Sequence, residues 1–222
     1  MYLAGVDEAG RGPVIGPLVV AGVVINKEDL DKLVEQGLTD SKLLTKEQRN
    51  EFYDKILACA IDYKIIVIPA EEIDYKRNNA INLNRIEINI MIDLLGSLKD
   101  WTEAFVDACD RNAKRLELTL RNNVRKEITA EHFADLNYPI VSAASVLAKV
   151  IRDKEIEKLH ETFGVDFGSG YPHDPKTNQF LTEYYTEHQE LPIIARKTWV
   201  TSRKVIELSE QKNLDDFFRN AE

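Results

Sequence analysis

The chain has 222 residues, of which 44% are hydrophobic and 30% are charged, and its formal net charge is −9. A chain of this size and composition can bury a full hydrophobic core as one domain with a small appendage. No apolar run reaches the roughly 18–20 residues that span a bilayer, and no signal segment precedes the first strand-like residues. We therefore expect a cytoplasmic protein with no membrane partner.

Five segments have the composition and length of β-strands, because they are short and several are rich in valine and isoleucine. The predicted strands are Tyr2–Asp7, Leu18–Ile25, Tyr63–Pro69, Ala104–Asp107 and Glu127–His132. A short glycine-rich turn joins the first two, which favours an antiparallel pair, whereas helical crossovers favour parallel pairing of the later strands. The sequence thus predicts a mixed five-stranded sheet in an α/β fold.

Helices are predicted between and after these strands. One covers Lys46–Ala60, preceded by the Thr45 and Gln48 spacing of a capping box. Others cover Asn84–Leu98 and the stretch from Pro139 to about Phe163. Beyond Gly164 a loop of glycine, proline and aspartate leads to short helices. We predict an α/β core at 1–163, a C-terminal loop and helical lobe at 164–206, and a tail at 207–222.

Four carboxylates indicate a site for divalent cations: Asp7, Glu8, Asp107 and Asp135. Hard cations prefer oxygen ligands, and paired ions can clamp both the attacking and the leaving oxygen of a phosphodiester. Neighbouring residues of a strand point to opposite faces, so Asp7 and Glu8 converge only if the strand ends there, as the following glycines and proline indicate. The alternative is a pair of solvated loop charges.

Asp110 lies three residues beyond Asp107 and admits two interpretations. It could be an outer group of the cation site. The favoured interpretation is that it caps a helix starting at Asn112, because an aspartate before a helix accepts otherwise unpaired backbone N–H groups.

Several motifs together closely resemble ribonuclease HII. They are DEAGRGPVIGPLVVAGVV, DSK at 40–42, VDACD around Asp107, AEHFADLNYPIVSAASVLAKVIRD around Asp135, and GSGYPHDP around Tyr171. The match runs from residue 3 to about residue 204, with the motifs in the order of the family. The resemblance implies a ribonuclease-H-like mixed five-stranded sheet flanked by helices, with a helical C-terminal lobe.

The resemblance also implies an activity and its cofactor. It assigns the four carboxylates as catalytic ligands of Mg²⁺ or Mn²⁺ in a two-metal mechanism. The expected reaction is endonucleolytic cleavage of the RNA strand of RNA/DNA hybrids, and of ribonucleotides embedded in duplex DNA, leaving a 3′-hydroxyl and a 5′-phosphate. A monomer is expected.

Two segments of the resemblance concern the sugar. Gly10, Arg11 and Gly12 match a Gly-Arg-Gly segment whose backbone approaches the ribose and binds its 2′-hydroxyl, the group that distinguishes RNA from DNA. Tyr171 matches a tyrosine that packs on the sugar at the RNA-to-DNA junction. The alternatives are a turn that only links two strands and an ordinary loop aromatic.

Phosphate contacts are predicted on one helical face and in the DSK motif. Ser142, Ser145 and Lys149 are spaced by three and four residues near a helix N-terminus, where anions are favoured. Ser41 and Lys42 are predicted contacts of the same kind. Serines early in a helix are also common as packing and capping residues.

The tail QKNLDDFF resembles the box by which replication and repair proteins bind a sliding clamp. One helical turn would bring Leu214, Phe217 and Phe218 together as an apolar plug, with Gln211 bonding in an adjacent pocket. The alternative is an amphipathic helix that folds back on its own core.

Two other functions remain open on the sequence alone. One is a DNA junction nuclease of the same fold, and the other is a non-enzymatic, clamp-associated nucleic-acid-binding module. A duplex bearing one ribonucleotide separates them, because only the ribonuclease cuts beside the ribonucleotide and leaves an all-DNA duplex intact.

Overall fold

The computed structural model describes residues 1–39 and 41–219, and side chains only as far as Gln211. All five predicted strands are present within this range, each shifted by no more than three residues at either end. They are β1 (Tyr2–Ala9), β2 (Leu18–Asn26), β3 (Ala60–Ile68), β4 (Glu103–Asp107) and β5 (Glu127–Glu131).

The strands form one mixed sheet in the order β3-β2-β1-β4-β5. β1 pairs antiparallel with β2 and parallel with β4, and β4 pairs parallel with β5. The predicted mixed five-stranded sheet is therefore confirmed. β1 is the middle strand, so the carboxyl ends of β1 and β4 lie side by side.

Helices connect and cover the strands, as the α/β pattern requires. They are α1 (Lys27–Glu35), α2 (Lys46–Cys59), α3 (Ala70–Asn78), α4 (Leu83–Ser97), α5 (Ala113–Val124), α6 (Ala134–Asn137), α7 (Pro139–Phe163), α8 (Pro175–His188) and α9 (Val200–Arg219). The capping box predicted at Thr45 and Gln48 is present. None of the helices in the described part of the chain has the length and hydropathy that a bilayer span requires.

β1 is longer than the sequence predicted. It continues past Asp7 to Ala9, because its ladder with β2 extends to the pairs Glu8 with Val20 and Ala9 with Val19. The predicted strand end at Asp7 is wrong. The turn begins instead at Gly10, whose φ of 84° lies in the region that glycine adopts without a steric penalty.

The predicted cap of α5 is also wrong. The N-cap is Asn112, whose side chain accepts the Arg115 N–H. Asp110 accepts the N–H of Asn112 at 3.0 Å and forms an ion pair with Arg115 at 2.5 Å. Asp110 is therefore fixed by the start of α5.

The chain divides into two compact units. The first contains Met1–Ala9, Leu18–Val67 and Asn82–Asp153, and the second contains Gly10–Pro17, Ile68–Ile81 and the chain from Lys154 onward. The core of the first unit lies between β2 and the apolar residues of α7, such as Ala144 and Leu147. The core of the second unit includes Ile15, Phe167 and Leu181.

A glycine sets the spacing between β1 and α7 in the first unit. A Cβ on Gly5 would lie 2.1 Å from the carbonyl oxygen of Ile140, in the first turn of α7. Only a residue without a side chain fits there. The helix therefore lies directly against β1, two residues before Asp7.

Candidate active site

Three carboxylates converge at the carboxyl ends of β1 and β4. One side-chain oxygen from each of Asp7, Glu8 and Asp107 lies within 4.8 Å of the others. The parallel ladder of β1 and β4 runs as far as Val6 with Val106, so Asp7 and Asp107 are the next residues on neighbouring strands. Paired positions of a sheet present their side chains to the same face, which accounts for the convergence of Asp7 with Asp107.

Glu8 joins the group although it lies inside a strand. Its side chain starts on the opposite face from that of Asp7. β4 ends at Asp107, so no residue of that strand lies beside Glu8. The longer glutamate side chain has room to extend around the end of the ladder, which allows the two consecutive acids to converge without a strand end at Asp7.

Asp135 lies next to this group, on the short helix α6. The N–H of Ala134 donates to Asp107 Oδ1 at 2.8 Å, which ties the start of α6 to the end of β4. Asp135 is only 3% exposed; its Oδ2 accepts from Lys42 Nζ at 2.9 Å. Its Oδ1 is buried and has no hydrogen-bond partner among the described residues.

The donor set fits a divalent cation. All the converging atoms are carboxylate oxygens, which are the ligands that Mg²⁺ and Mn²⁺ prefer. A buried carboxylate oxygen without a hydrogen bond is costly unless something neutralises it. The unpaired Oδ1 of Asp135 is thus consistent with a site that holds a cation.

A chain of hydroxyls connects Lys149 to Asp7. Lys149 donates to the Ser41 hydroxyl, the Ser41 and Ser145 hydroxyls are 2.8 Å apart, and Ser145 is hydrogen-bonded to the Asp7 carboxylate. Ser142 donates to the backbone oxygen of Asp135 at 2.6 Å. All three serines are buried; Ser142 and Ser145 bond the Asp135 and Asp7 segments, and Ser41 links Ser145 to Lys149.

Burial shifts the acidity of the two central aspartates. It raises the pKa of Asp7 from 3.8 to about 7, and the negative charge of Asp107 adds to the rise. The hydrogen bond from Ser145 and the charge of Lys149 act in the opposite direction. Burial also raises the pKa of Asp107, against the lowering effect of the Ala134 N–H. Both directions follow from placing like charges close together away from water.

We expect the stabilising effect of Mn²⁺ to grow with pH. The folded pKa of Asp7 lies above its unfolded value of 3.8, so the metal-free fold loses stability as pH rises from about 4 through about 7. A shift of this size corresponds to a loss on the order of 4 kcal/mol. A cation offsets the ionised carboxylates, so the rise in Tm caused by Mn²⁺ should be larger at pH 8 than at pH 6.

Thermal unfolding with and without saturating Mn²⁺ at the two pH values measures this effect. Asp7→Asn serves as the control, because it removes the titrating carboxyl and should flatten the pH dependence of the metal-free Tm. An equal or larger Mn²⁺ effect at pH 6 would contradict the expectation.

The predicted ribose-binding segment lies in the second unit. Gly10 is buried, Arg11 is half-buried and Gly12 is exposed. A Cβ on Gly12 would lie 3.6 Å from Cε1 of Tyr171, so the glycine and the tyrosine are neighbours. The structure therefore brings together the two segments that were predicted to contact the sugar.

The loop before Tyr171 is held by backbone bonds. The carbonyl of Gly170 accepts from the N–H groups of Val14 and Ile15 at 2.8 and 3.1 Å. A Cβ on Gly170 would lie 2.6 Å from the Ile15 oxygen, and its φ is +79°. Glycine is required at this position, which fixes Tyr171 beside the turn that follows β1.

The sequence analysis did not identify the residue that anchors this turn. This residue is Arg196, which lies in a basic stretch with Lys197, Arg203 and Lys204, a composition typical of an exposed surface. Its side chain is instead fully buried and donates to backbone carbonyls of the turn. An arginine that binds phosphate and an arginine that binds backbone carbonyls are the same residue type, so the sequence contains no signal that distinguishes the two roles.

The predicted clamp-binding residues are only partly described. Gln211 is exposed on α9, whose backbone continues to Arg219. The side chains of Leu214, Phe217 and Phe218 lie outside the described residues.

A mixed sheet of this order, with carboxylates that converge where its two inner parallel strands end, places the protein in the ribonuclease-H-like class of folds with a candidate metal site. A family model for ribonuclease HII matches residues 4–202. Ribonuclease HII of Pyrococcus furiosus is 46% identical over 226 residues, covering 99% of each chain. The chain belongs to the ribonuclease HII family and is a type 2 ribonuclease H, an endoribonuclease.

Solved structures agree with this assignment. The crystal structure of ribonuclease H2 from Pyrococcus horikoshii superimposes with a TM-score of 0.87 at 42% identity, covering 95% of this chain and 99% of that chain. The ribonuclease HII in a PCNA:RNase HII complex from Archaeoglobus fulgidus gives a TM-score of 0.82 at 39% identity, covering 90% and 95%.

Proposed function

We propose that Asp7, Glu8, Asp107 and Asp135 hold two divalent cations, Mg²⁺ or Mn²⁺. With them the protein cleaves the RNA strand of RNA/DNA hybrids and ribonucleotides embedded in duplex DNA, leaving a 3′-hydroxyl and a 5′-phosphate. The observation that carries the proposal is the 4.8 Å convergence of three of the carboxylates at the ends of β1 and β4.

The cations and the carboxylates that hold them have separate roles in the proposed reaction. Bound between such carboxylates, two cations offset the charge that develops on the attacking and leaving oxygens of a phosphodiester. Asp7 and Asp107 lie on rigid neighbouring strands, so their separation is set by the sheet. Asp135 is oriented by α6 and by Lys42 at 2.9 Å.

Lysines beside the carboxylates are suited to bind the substrate phosphates. The Lys42 side chain is 58% exposed, so it can contact a bound strand while it remains close to Asp135. Lys149 is half-buried and linked to Asp7 through Ser41 and Ser145. Direct phosphate contacts by Ser41, Ser142 and Ser145 stay a prediction; their hydrogen bonds support a role in holding the carboxylates and Lys149.

Recognition of the ribose is proposed for the Gly10–Gly12 segment and Tyr171. Glycine lets backbone groups approach a sugar closely, and the 2′-hydroxyl is both a donor and an acceptor. The Tyr171 ring beside Gly12 would pack on the following deoxyribose, where an added hydroxyl would be crowded. The proximity of the two residues, such that a Cβ on Gly12 would lie 3.6 Å from the tyrosine ring, supports a shared sugar-binding surface.

A cleavage assay tests the proposed specificity. We expect the protein to cut a DNA duplex that bears a single ribonucleotide, in the presence of Mg²⁺ or Mn²⁺, and to leave the all-DNA duplex of the same sequence intact. Equal cutting of both duplexes would favour a DNA nuclease. No cutting of either with both ions would favour a binding module. Family membership disfavours both alternatives.

We also propose that the tail binds a sliding clamp through Gln211, Leu214, Phe217 and Phe218. The spacing of these residues supports the proposal, as does the clamp complex of the relative from Archaeoglobus fulgidus. A clamp tether would keep the enzyme on newly replicated DNA. This tail belongs to the proposed division into 1–163, 164–206 and 207–222, in a monomeric, cytoplasmic protein.

Replacing both Phe217 and Phe218 by alanine should abolish capture of the protein by an immobilised sliding clamp. The two rings supply most of the apolar area that such a peptide buries, and hot-spot aromatics each contribute about 2 kcal/mol or more. Cleavage of short duplexes without a clamp should be unchanged. Arg203→Ala, upstream on α9, is the matched control. Undiminished capture of the double variant would reject the clamp tether.

A further inference from the structure

Arg196 is a buried arginine whose guanidinium holds the Gly-Arg-Gly turn. Its exposure is 0%. Nη2 donates to the Gly10 carbonyl at 2.6 Å, Nη1 to the Arg11 carbonyl at 3.0 Å and Nε to the Gly16 carbonyl at 3.1 Å. The guanidinium is planar and its donors have a fixed geometry. One rigid group therefore fixes three carbonyls on both sides of the turn.

Trp199 adds a fourth side-chain hydrogen bond to a carbonyl of this turn. Its indole Nε1 donates to the carbonyl of Gly12 at 3.3 Å. The centre of its ring lies 4.8 Å from the guanidinium carbon of Arg196, a favourable arrangement for a cation and an aromatic face. The carbonyls of Gly10, Arg11 and Gly12 thus all accept from two side chains that lie just before α9.

These bonds orient the amide groups of the same turn. The described part of the chain contains no cis peptide bond, and in a trans peptide the C=O and the N–H point in opposite directions. The N–H of Arg11 shares a peptide plane with the Gly10 carbonyl, and the N–H of Gly12 with the Arg11 carbonyl. Both N–H groups therefore point away from Arg196.

The segment that carries Arg196 is itself held by α3. Asp74, which is buried, accepts from the N–H groups of Lys197 and Thr198 at 2.5 and 3.1 Å and from the Thr198 hydroxyl at 2.6 Å. Arg77 Nε donates to that hydroxyl at 2.9 Å. A helix thus fixes the backbone between the arginine and the tryptophan, so their donors are preorganised.

We infer that Arg196 and Trp199 are positioning residues for recognition of the ribose 2′-hydroxyl. By holding the carbonyls of Gly10, Arg11 and Gly12, they aim the N–H groups of Arg11 and Gly12 at the sugar. The inference rests on the proposed sugar contact of this turn. It adds two residues, outside the turn, whose loss weakens the discrimination of RNA from DNA.

Arg196→Lys tests the inference through two kinetic readouts. Lysine keeps the positive charge but lacks the planar guanidinium with its several donors, so it cannot fix three carbonyls at once. We expect kcat/KM on a duplex with one ribonucleotide to fall about tenfold, the factor for one well-made hydrogen bond. The inhibition constant of an all-DNA duplex competing in the same assay should not change, because it has no 2′-hydroxyl to lose.

Trp199→Phe supplies an independent variant. It keeps a ring beside Arg196 but removes the donor to the Gly12 carbonyl, so it should cause a smaller loss of the same kind. It decides the matter alone if Arg196→Lys does not fold. Arg121→Lys is the matched control, because Arg121 Nε also donates to a backbone carbonyl, that of Ile128, on a different unit. We expect wild-type values for both readouts in the control.

Two results would overturn the inference. One is that folded variants keep wild-type values of both readouts. The other is that cleavage and affinity for the all-DNA duplex fall by the same factor, which indicates a structural role without selectivity for the sugar. Failure of the wild-type protein to cut the ribonucleotide duplex would instead overturn the proposed function itself.

Discussion

Replacing Asp107 by asparagine will lower cleavage at a single ribonucleotide by at least about a hundredfold. Loss of a group that only supports a metal ligand lowers activity by up to about a hundredfold, and Asp107 is itself a proposed ligand. The change removes one of the three negative charges whose oxygens lie within 4.8 Å of each other, and so weakens the attraction for a cation. Asparagine keeps an oxygen that can accept the Ala134 N–H, now at 2.8 Å. The fold should therefore survive the substitution.

Single-turnover cleavage with Mn²⁺ titration measures the loss, and added Mn²⁺ should restore only part of it. The metal-free variant should also be more stable than wild type at pH 8, since removal of the Asp107 charge relieves repulsion on Asp7. Asp93→Asn, on the exposed side of α4, controls for the change in net charge. Full activity of the Asp107 variant would remove this carboxylate from the metal site.

The sequence predicted the sheet well because the signals of its strands are local. Valine-rich runs, the glycine-rich turn after β1 and the capping box at Thr45 each reflect short-range chemistry, and all three appear in the structure. The end of β1, by contrast, is not determined by a local sequence signal. Whether Asp7 and Glu8 stay in a strand depends on β2, whose Val19 and Val20 continue the ladder, and no residue near Asp7 reports that partner.

In the candidate site, too, some features follow from local sequence and others only from the assembled fold. The four acids were predicted as a metal site from residue type and family motif, and the structure groups Asp7, Glu8 and Asp107 closely, with Asp135 tied to them through α6. What the sequence could not supply is the direction of polar side chains. Ser41, Ser145 and Lys149 form a hydrogen-bonded chain towards Asp7, and Arg196 points into the protein, because burial is a property of the assembled fold.

A different kind of constraint acts at Gly5, where we expect alanine to be among the most destabilising single substitutions in the first unit. The added Cβ would lie 2.1 Å from the Ile140 oxygen and 2.5 Å from its carbonyl carbon. Backbone atoms cannot rotate away as a flexible side chain would, so either β1 or α7 must shift. Overpacking of this kind costs about 3 kcal/mol or more, which corresponds to a fall in Tm of about 6–12 °C.

Gly96→Ala provides the matched control, because it makes the same chemical change on the exposed side of α4, where a Cβ would meet nothing within 4 Å. It should raise stability by about 0.5–1 kcal/mol, since glycine is the weaker helix former. Thermal unfolding of both variants gives the comparison, and a Tm for Gly5→Ala equal to that of wild type would contradict the prediction.

The Gly5 variant should also lose activity at temperatures where it remains folded. β1 carries Asp7 and Glu8 while α7 carries Ser145 and Lys149, so a shift between them separates the carboxylate of Asp7 from the hydroxyl that holds it. The close contact at Gly5 would then serve catalysis as well as packing.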